Sequence, residues 1–475
     1  MPDLAFPFLT AAIAAPLGVS WFARGNSREL RLAGAGGCAA AALLLLEVLR
    51  EVSLASGARL GDPLPGAAGT WLAADSLNSV VMVLYCLIAL ATLLLAPRRD
   101  TSAVSVRWTL WVLSATLLAY AADNTILLVA GWFASAIPFL IGPFTAPENW
   151  RPRVALLGST VALLMGCLLM SDNGAGIAAL AGQGAGGTAA FACLILAVIL
   201  RKGIFPAHAW ITDAAEGGPV LPMALLFNGH LGAFLLARVV VPVFPQLAQG
   251  TFPLLSDLAL FTAIYAAIRA VAEKRPRSLL ALLALSQSAS ILAGLESASA
   301  EGVTGALVHW LVVASATTGL FGILRLLEVR FGSELAKEGH LGLAQHTPRL
   351  AVFFAVCGLA LVGLPGTLGF CSEDLLIHGT LESHPQLGLL LPLSTAINAV
   401  TLLRLFNRLF LGRLRTGVSG IADAVPRERW VLAAIVLFVV VGGVFPKAVV
   451  TAQAHAAHVV AQGMGRLEAK AGSGE

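Results

Sequence analysis

The chain reads as an all-α polytopic membrane protein, about 14 transmembrane helices with two inverted five-helix repeats, each containing a broken helix. Three observations carry that reading. The 475 residues are 58% hydrophobic and only 12% charged, with a mean hydropathy of +0.85, whereas a soluble domain is about 25% charged. Apolar runs near the 20-residue length of a bilayer crossing recur along the whole chain. Ionisable residues sit inside two of those runs, each beside a Gly/Pro interruption, and backbone broken at membrane depth is tolerated only when buried in protein or lining a cavity.

The runs lie near 5–23, 30–49, 72–96, 103–122, 124–145, 153–171, 186–211, 218–243, 253–272, 278–296, 302–327, 349–378, 386–412 and 429–449. The first lacks a basic flank before it and reads as a retained span, not a cleaved signal. Basic residues cluster after six of the seven odd-numbered runs, the seventh run being the exception. They include Arg24, Arg28 and Arg31; Arg98, Arg99 and Arg107; Arg151 and Arg153; Lys274, Arg275 and Arg277; Arg330, Lys337 and Arg349; and Arg413, Arg415, Arg427 and Arg429. By the positive-inside rule these connections are cytoplasmic, and both termini are expected outside. The Gly-rich stretch 173–187 reads as a loop, and it lacks the Lys and Ser/Thr of a phosphate loop. The last 25 residues read as a small, polar, loosely amphipathic tail.

The first interruption is Arg201-Lys-Gly-Ile-Phe-Pro-Ala-His208, with Gly203 and Pro206 as breakers. The second is Gly363-Leu-Pro-Gly366, with Pro365 between the glycines, followed by Glu373 and Asp374. They fall about 100 and 110 residues after the starts of the fourth and ninth runs. Matched broken helices in two halves are the mark of an inverted-repeat transporter with a site at each break. The expected organisation is 1–100, helices 1–3; 101–245, first repeat; 250–415, second repeat; and 416–475, helix 14 with the tail.

Charged groups at membrane depth mark an ion or substrate path. The ionisable candidates for a proton path are Lys202, His208, His230, His309, Glu373 and Asp374, with Arg201 as a fixed positive charge. Histidine is a natural shuttle near neutral pH, although each lone histidine could equally be a hydrogen-bonded interior residue. Arg404 could pair with Glu373 or face the cytoplasm. The six cysteines are scattered, form no C-x-x-C pair, and read as packing residues. His455 and His458 alone are too few for a metal site. No cofactor or metal site and no catalytic residue is legible, and no basic stripe or aromatic platform suggests nucleic acid.

Several motifs then resemble one family. They are Phe205-Pro206-x-His208-x-Trp210-x-x-Asp213, Gly218-Pro219-Val220, Ser286-Gln287, Gly363-Leu-Pro-Gly366-x-x-Gly369-Phe370, Asp75-Ser76-Leu77 and Asp123-Asn124 with Gly131-Trp132. The family comprises the antiporter-like, proton-translocating membrane subunits of respiratory complex I, Mrp antiporters, membrane-bound hydrogenases and DAB inorganic-carbon complexes. The resemblance covers roughly 71–415, and the segment from Asn228 to Leu235 looks closer to the DAB type than to complex I.

It implies a Lys/His/Glu chain across the bilayer midplane. It also implies partners that do the chemistry: other membrane subunits, or a peripheral redox or carbonic-anhydrase-like protein. Location in the cell membrane follows. The chain departs from the pattern where the resemblance implies a glutamate (Phe133), a lysine (Arg201, with Lys202 next to it), a histidine (Leu225) and a central lysine (Thr317). Arginine does not give up its proton in proteins. The first half therefore either uses Lys202, about 100° round the helix, or does not conduct. A non-conducting coupling subunit and an autonomous small-solute or cation transporter are the alternatives.

Overall fold

A computed structural model describes residues 5–61, 70–170, 176–297, 299–332, 335, 339–383, 385, 388–413 and 422–463. Lys337, Arg415 and the tail beyond 463 lie outside the described residues, as does the first part of the 173–187 loop.

Every apolar run of the sequence coincides with helix. The first six are α1 (Ala5–Phe22), α2 (Ser27–Leu54), α3 (Ser76–Leu95), α4 (Ala103–Ala121), α5 (Thr125–Leu140) and α6 (Trp150–Met170). Their starts are chemically set. Asn26, Asp75, Ser102 and Asn124 stand at N-caps and accept from backbone N–H groups that have no partner inside the helix. The next run is two helices, α7 (Gly187–Lys202) and α8 (Ala209–Gly217). The one after is α9 (Val220–Asn228), α10 (Leu231–Leu235), a π-helical turn Leu236–Val240 and α11 (Val241–Val243). Then come α12 (Pro245–Ala272), α13 (Pro276–Glu296) and α14 (Ala300–Phe331). Proline opens α12 and α13, where its missing N–H costs nothing. The second interrupted run is α15 (Pro348–Leu361) and α16 (Leu368–Ser383), followed by α17 (Leu390–Phe410) and α18 (Pro426–Val444).

Among the described residues, nine helices are long and apolar enough to cross a membrane on their own, or ten if a bent pair counts as one. Fourteen single crossings are thus not reached by length alone, because α1 and α5, and the broken pairs α7/α8 and α15/α16, are helices each shorter than a full span. The beginning of the polar tail is also helical. α19 (Lys447–Gly463) turns 81° from α18 and packs on α14 and α3. Ala456, Ala457, Val460 and Ala461 bury one face of it. That i, i+1, i+4, i+5 spacing is a helix stripe, made of residues too small to stand out in hydropathy.

The layers follow from burial. The span Val220–Val243, α13 and α14 are buried along their whole apolar windows, whereas α2 and α17 bury well under half of theirs. The former are therefore the inner wall of the protein and the latter its lipid- or partner-facing shell. At one end the connections meet in an ion network. Arg277 and Arg325 both pair with Glu328, Arg325 also holds Asp100 at 2.7 Å, and Arg330 holds Glu428 at 2.5 Å. Connections that carry the basic residues thus share one end, as the alternation of charge requires. The opposite end holds two further pairs, Asp75–Arg238 and Asp123–Arg59.

Candidate functional site: a buried polar chain between two helix breaks

The two breaks share one geometry. Gly203 and Gly363 both adopt φ +67°, and the next residue's N–H returns to the helix (Ile204 to Ile199 O, 3.0 Å; Leu364 to Leu359 O, 2.9 Å). This is the six-to-one bond of a glycine-terminated helix, and glycine is the residue that enters positive φ without strain. The indole N–H of Trp210 donates to Leu200 O at 3.0 Å, which satisfies another carbonyl left open by the first break.

Ending α7 at Gly203 leaves Arg201 and Lys202 as its last two residues, both buried and pointing to different neighbours. Arg201 turns to α5. Its guanidinium donates to Ser135 Oγ at 2.6 Å and lies 5.1 Å from the Trp132 ring centroid. Phe133, where the resemblance implies a glutamate, is 40% exposed and faces outward. Lys202 turns to the inner wall. Its ammonium lies 2.8 Å from His230 Nδ1, donates to Ser288 Oγ, and sits 5.8 Å from the Phe227 ring. The aliphatic stem lies over Gly232, where a Cβ would strike it.

His230 owes its position to a local distortion. With Gly229 it forms the two-residue link between α9 and α10, and it has φ +41°, a conformation rare outside glycine. Its ring stands edge-on to Trp310, 5.5 Å between centroids, and its Nε2 has no hydrogen-bond partner.

From Ser288 the chain continues through the adjacent Gln287. Gln287 Oε1 lies 2.9 Å from His309 Nε2, and His309 Nδ1 lies 3.0 Å from Ser372 Oγ. Ser372 precedes Glu373. The Gln287 amide nitrogen is in electrostatic reach of the Glu373 carboxylate without making a well-aligned hydrogen bond. Thr395 Oγ1 donates to that carboxylate at 3.2 Å, and Gly363 packs directly under it. The second break and its acid are therefore one unit. A side chain at Gly363 would collide with Glu373 and be strained at positive φ. Gly363→Ala should lower stability by about 1–2 kcal/mol, read as a lower unfolding midpoint in detergent.

The remaining candidates lie off this chain. His208 is half-buried between Tyr265 (4.9 Å) and Phe205 (5.8 Å), with Nδ1 unpartnered. Asp374 is exposed and lies 3.6 Å from His378. Arg404 donates to Val271 O at 3.1 Å, at the basic end. Thr317 donates to Asn228 Oδ1 at 2.9 Å, and Asn228 bonds Thr318 in turn, so a neutral cluster fills the place of the implied lysine. Leu225 is buried, and its carbonyl accepts from Tyr85. Ser288, Ser372 and Thr395 were missed by the sequence reading. The Ser-Gln-Ser run inside an otherwise apolar helix was the available signal.

Comparison with known proteins agrees with this architecture. Residues 153–398, more than half of the chain, match the family described as NADH:quinone oxidoreductase/Mrp antiporter, transmembrane. The chain is 30% identical over 375 residues to NADH-quinone oxidoreductase subunit M of Mycobacterium tuberculosis, covering 72% of this chain and 66% of that protein. It is 27% identical to the subunit M of Rickettsia prowazekii over 54% of this chain and 52% of that one. The matched region thus spans between about half and two thirds of these relatives. Among solved structures, respiratory complex I from Thermus thermophilus with bound NADH contains a chain that aligns with a TM-score of 0.84 and 25% identity, over 96% of this chain and 99% of that chain. The Mrp complex from Dietzia sp. DQ12-45-1b shares the fold, with a TM-score of 0.82, 18% identity and 97% coverage of both chains. The multi-pass architecture, the paired helix breaks and these matches together place the chain in the NADH:quinone oxidoreductase/Mrp antiporter transmembrane family.

Proposed function

We propose that this protein is a proton-translocating membrane subunit of a multi-subunit complex, and that protons pass between its halves along Lys202, His230, Ser288, Gln287, His309, Ser372 and Glu373. The observation that carries the reading is a pair of buried polar groups on one wall: Lys202 with His230 and Ser288, and His309 with Gln287 and Ser372. Ser288 and Gln287 are neighbours on α13, with side chains about 100° apart round the helix, so the two groups lie side by side. They belong to the inner wall, where a buried ionisable group is costly unless it has a task. The two matching breaks support the division into inverted repeats near 101–245 and 250–415, with both termini outside the cytoplasm. His208, Asp374 and Arg404 are assigned to the approaches, where they flank the chain without joining it.

The subunits M to which the chain is similar belong by name to NADH-quinone oxidoreductases. A redox-driven membrane complex is therefore the favoured setting, ahead of an inorganic-carbon complex. The chain has no legible cofactor site and leaves electron transfer to its partners. A second reading, a coupling subunit that does not conduct, is favoured by one observation: Arg201 and Phe133 replace the implied Lys/Glu pair. Glu373→Gln in the assembled complex separates the two. The substitution keeps shape and one acceptor but removes the exchangeable charge. Loss of proton uptake by membrane vesicles, with subunit composition intact, is the expected result. Unchanged uptake would leave the coupling role.

A further inference from the structure

One lateral groove lies apart from the polar chain. It has a volume of about 350 Å³ and runs between α3, α14 and α18. Leu84, Ile88, Ala91 and Leu94 form one side, and Ala434 and Phe438 the other. From Leu84 to Leu94 the wall extends about 15 Å at 1.5 Å per residue, half of the ~30 Å hydrocarbon thickness of a bilayer. Thr318 lines the floor but spends its hydroxyl on Ala314 O, so the groove offers little but hydrocarbon.

Its end at Leu94 and Trp430 meets a knot of positive charge. The guanidiniums of Arg31 and Arg427 both reach Ala96 O, at 3.0 and 3.4 Å, and Arg98 lies within electrostatic range of each. The carboxylate beside them, Glu428, is shared by Arg330 at 2.5 Å and Arg427 at 3.4 Å, so one negative charge stands against the guanidiniums of Arg31, Arg98, Arg330 and Arg427 and positive charge is in excess. Arg31 is buried, yet its Nε has no hydrogen-bond partner. Trp430 is 70% exposed at this level, with Arg429 stacked 5.8 Å above its ring, as expected of a tryptophan at a membrane–water interface.

We infer that the groove between α3 and α18 is a binding site for an anionic phospholipid, with one acyl chain along Leu84–Leu94 and the phosphate at Arg31, Arg98 and Arg427. The length of one leaflet, the apolar lining and the cations at one end match the three parts of such a molecule. Basic pockets between membrane helices are known to take lipid headgroups in this way.

The experiment uses the complex, purified in mild detergent and stripped of lipid. It is titrated with dioleoyl phosphatidylglycerol or dioleoyl phosphatidylcholine and read by native mass spectrometry. A phosphatidylglycerol molecule should be retained on this subunit at least tenfold more tightly than phosphatidylcholine. Arg427→Gln should remove that preference. Ala434→Trp, an exposed position on the groove wall, should exclude both lipids while leaving the rest of the fold alone. Equal retention of the two lipids by the wild type, or unchanged retention in both variants, would overturn the assignment. So would cross-linking of the thiol of an Ala434→Cys variant to a partner polypeptide, because a protein helix would then occupy the groove.

Discussion

Replacing Lys202 by alanine should reduce proton flux through the assembled complex by about 10²-fold or more, the range over which a positioned proton-transfer group acts. Assembly should be unaffected. Lys202 is the junction at which the first helix break meets the inner wall. Its ammonium touches His230 and Ser288, and no described side chain duplicates those two contacts. Alanine keeps the helix, since it is its best former, and the Schellman turn at Gly203 uses backbone groups only. The loss is thus confined to the chain itself. Arg201 does not stand in, because it faces Ser135 and Trp132 on the far side of α7. Dye-monitored acidification of vesicles, with mass-spectrometric proof of intact subunits, is the measurement. A Lys202→Ala complex that pumps at the wild-type rate would show that the polar chain is only structural.

Replacing Arg238 by leucine should destabilise the protein by about 3–5 kcal/mol, the cost of leaving one member of a buried ion pair without its partner. Arg238 sits in the π-helical turn, 8% exposed, and bonds Asp75. Asp75 has a second task. It caps α3 by accepting from Leu77 and Asn78 N–H, while its own N–H donates to Asn78 Oδ1 at 2.9 Å. Asn78 ties this corner to Ala73 O and Tyr120 O. Burial alone would raise the Asp75 carboxyl, but the guanidinium of Arg238 prevails and holds it below the usual carboxylate range. A group held low in the folded state contributes stability above its unfolded value, near pH 3.9, and loses it as pH falls through the folded value. The wild type should therefore weaken on the acid side, and Asp75→Asn should flatten that limb. In Arg238→Leu/Asp75→Asn much of the loss should return, since no charge is then stranded. Thermal unfolding in detergent from pH 3 to pH 8 checks all of this; an undiminished unfolding temperature in Arg238→Leu would contradict it.

These two corners also show what a sequence of this kind reveals. The helices were legible because lipid demands long apolar runs, and the breaks because Gly203 and Gly363 stand where apolar helix should continue. Lys202 and Glu373 were visible for the same reason: ionisable groups are rare at that depth. Their partners were not. Ser288, Ser372 and Thr395 are ordinary in membrane helices, and only tertiary packing brings Ser288 of α13 to Lys202 and His230, Ser372 of α16 to His309 on α14, and Thr395 of α17 to Glu373. Which of Arg201 and Lys202 faces inward depends on the roll of α7, set by Gly232 beneath Lys202 and Trp132 beneath Arg201. Asp75 and Arg238 are far apart in the chain, and nothing local pairs them. α19 escaped notice because alanines bury a face without announcing it in hydropathy.

The amide of Gln287 has a further consequence. It stands between His309 and Glu373, with the oxygen toward the imidazole and the nitrogen toward the acid. A carboxamide accepts at one end and donates at the other, but it has no proton of its own to release at neutral pH. On the proposed path it would act as a turnstile, not as a wire: it must swing over before a hydrogen bond of the opposite sense can form. With the oxygen toward His309, the ring carries its hydrogen on Nε2 and presents Nδ1 as an acceptor, and the Ser372 hydroxyl must turn from Gly369 O, its acceptor at 2.8 Å, to donate to it. On the path proposed above, the two halves would then be joined only while the amide turns, which would block leakage down the gradient at rest and tie throughput to the motion of one buried side chain.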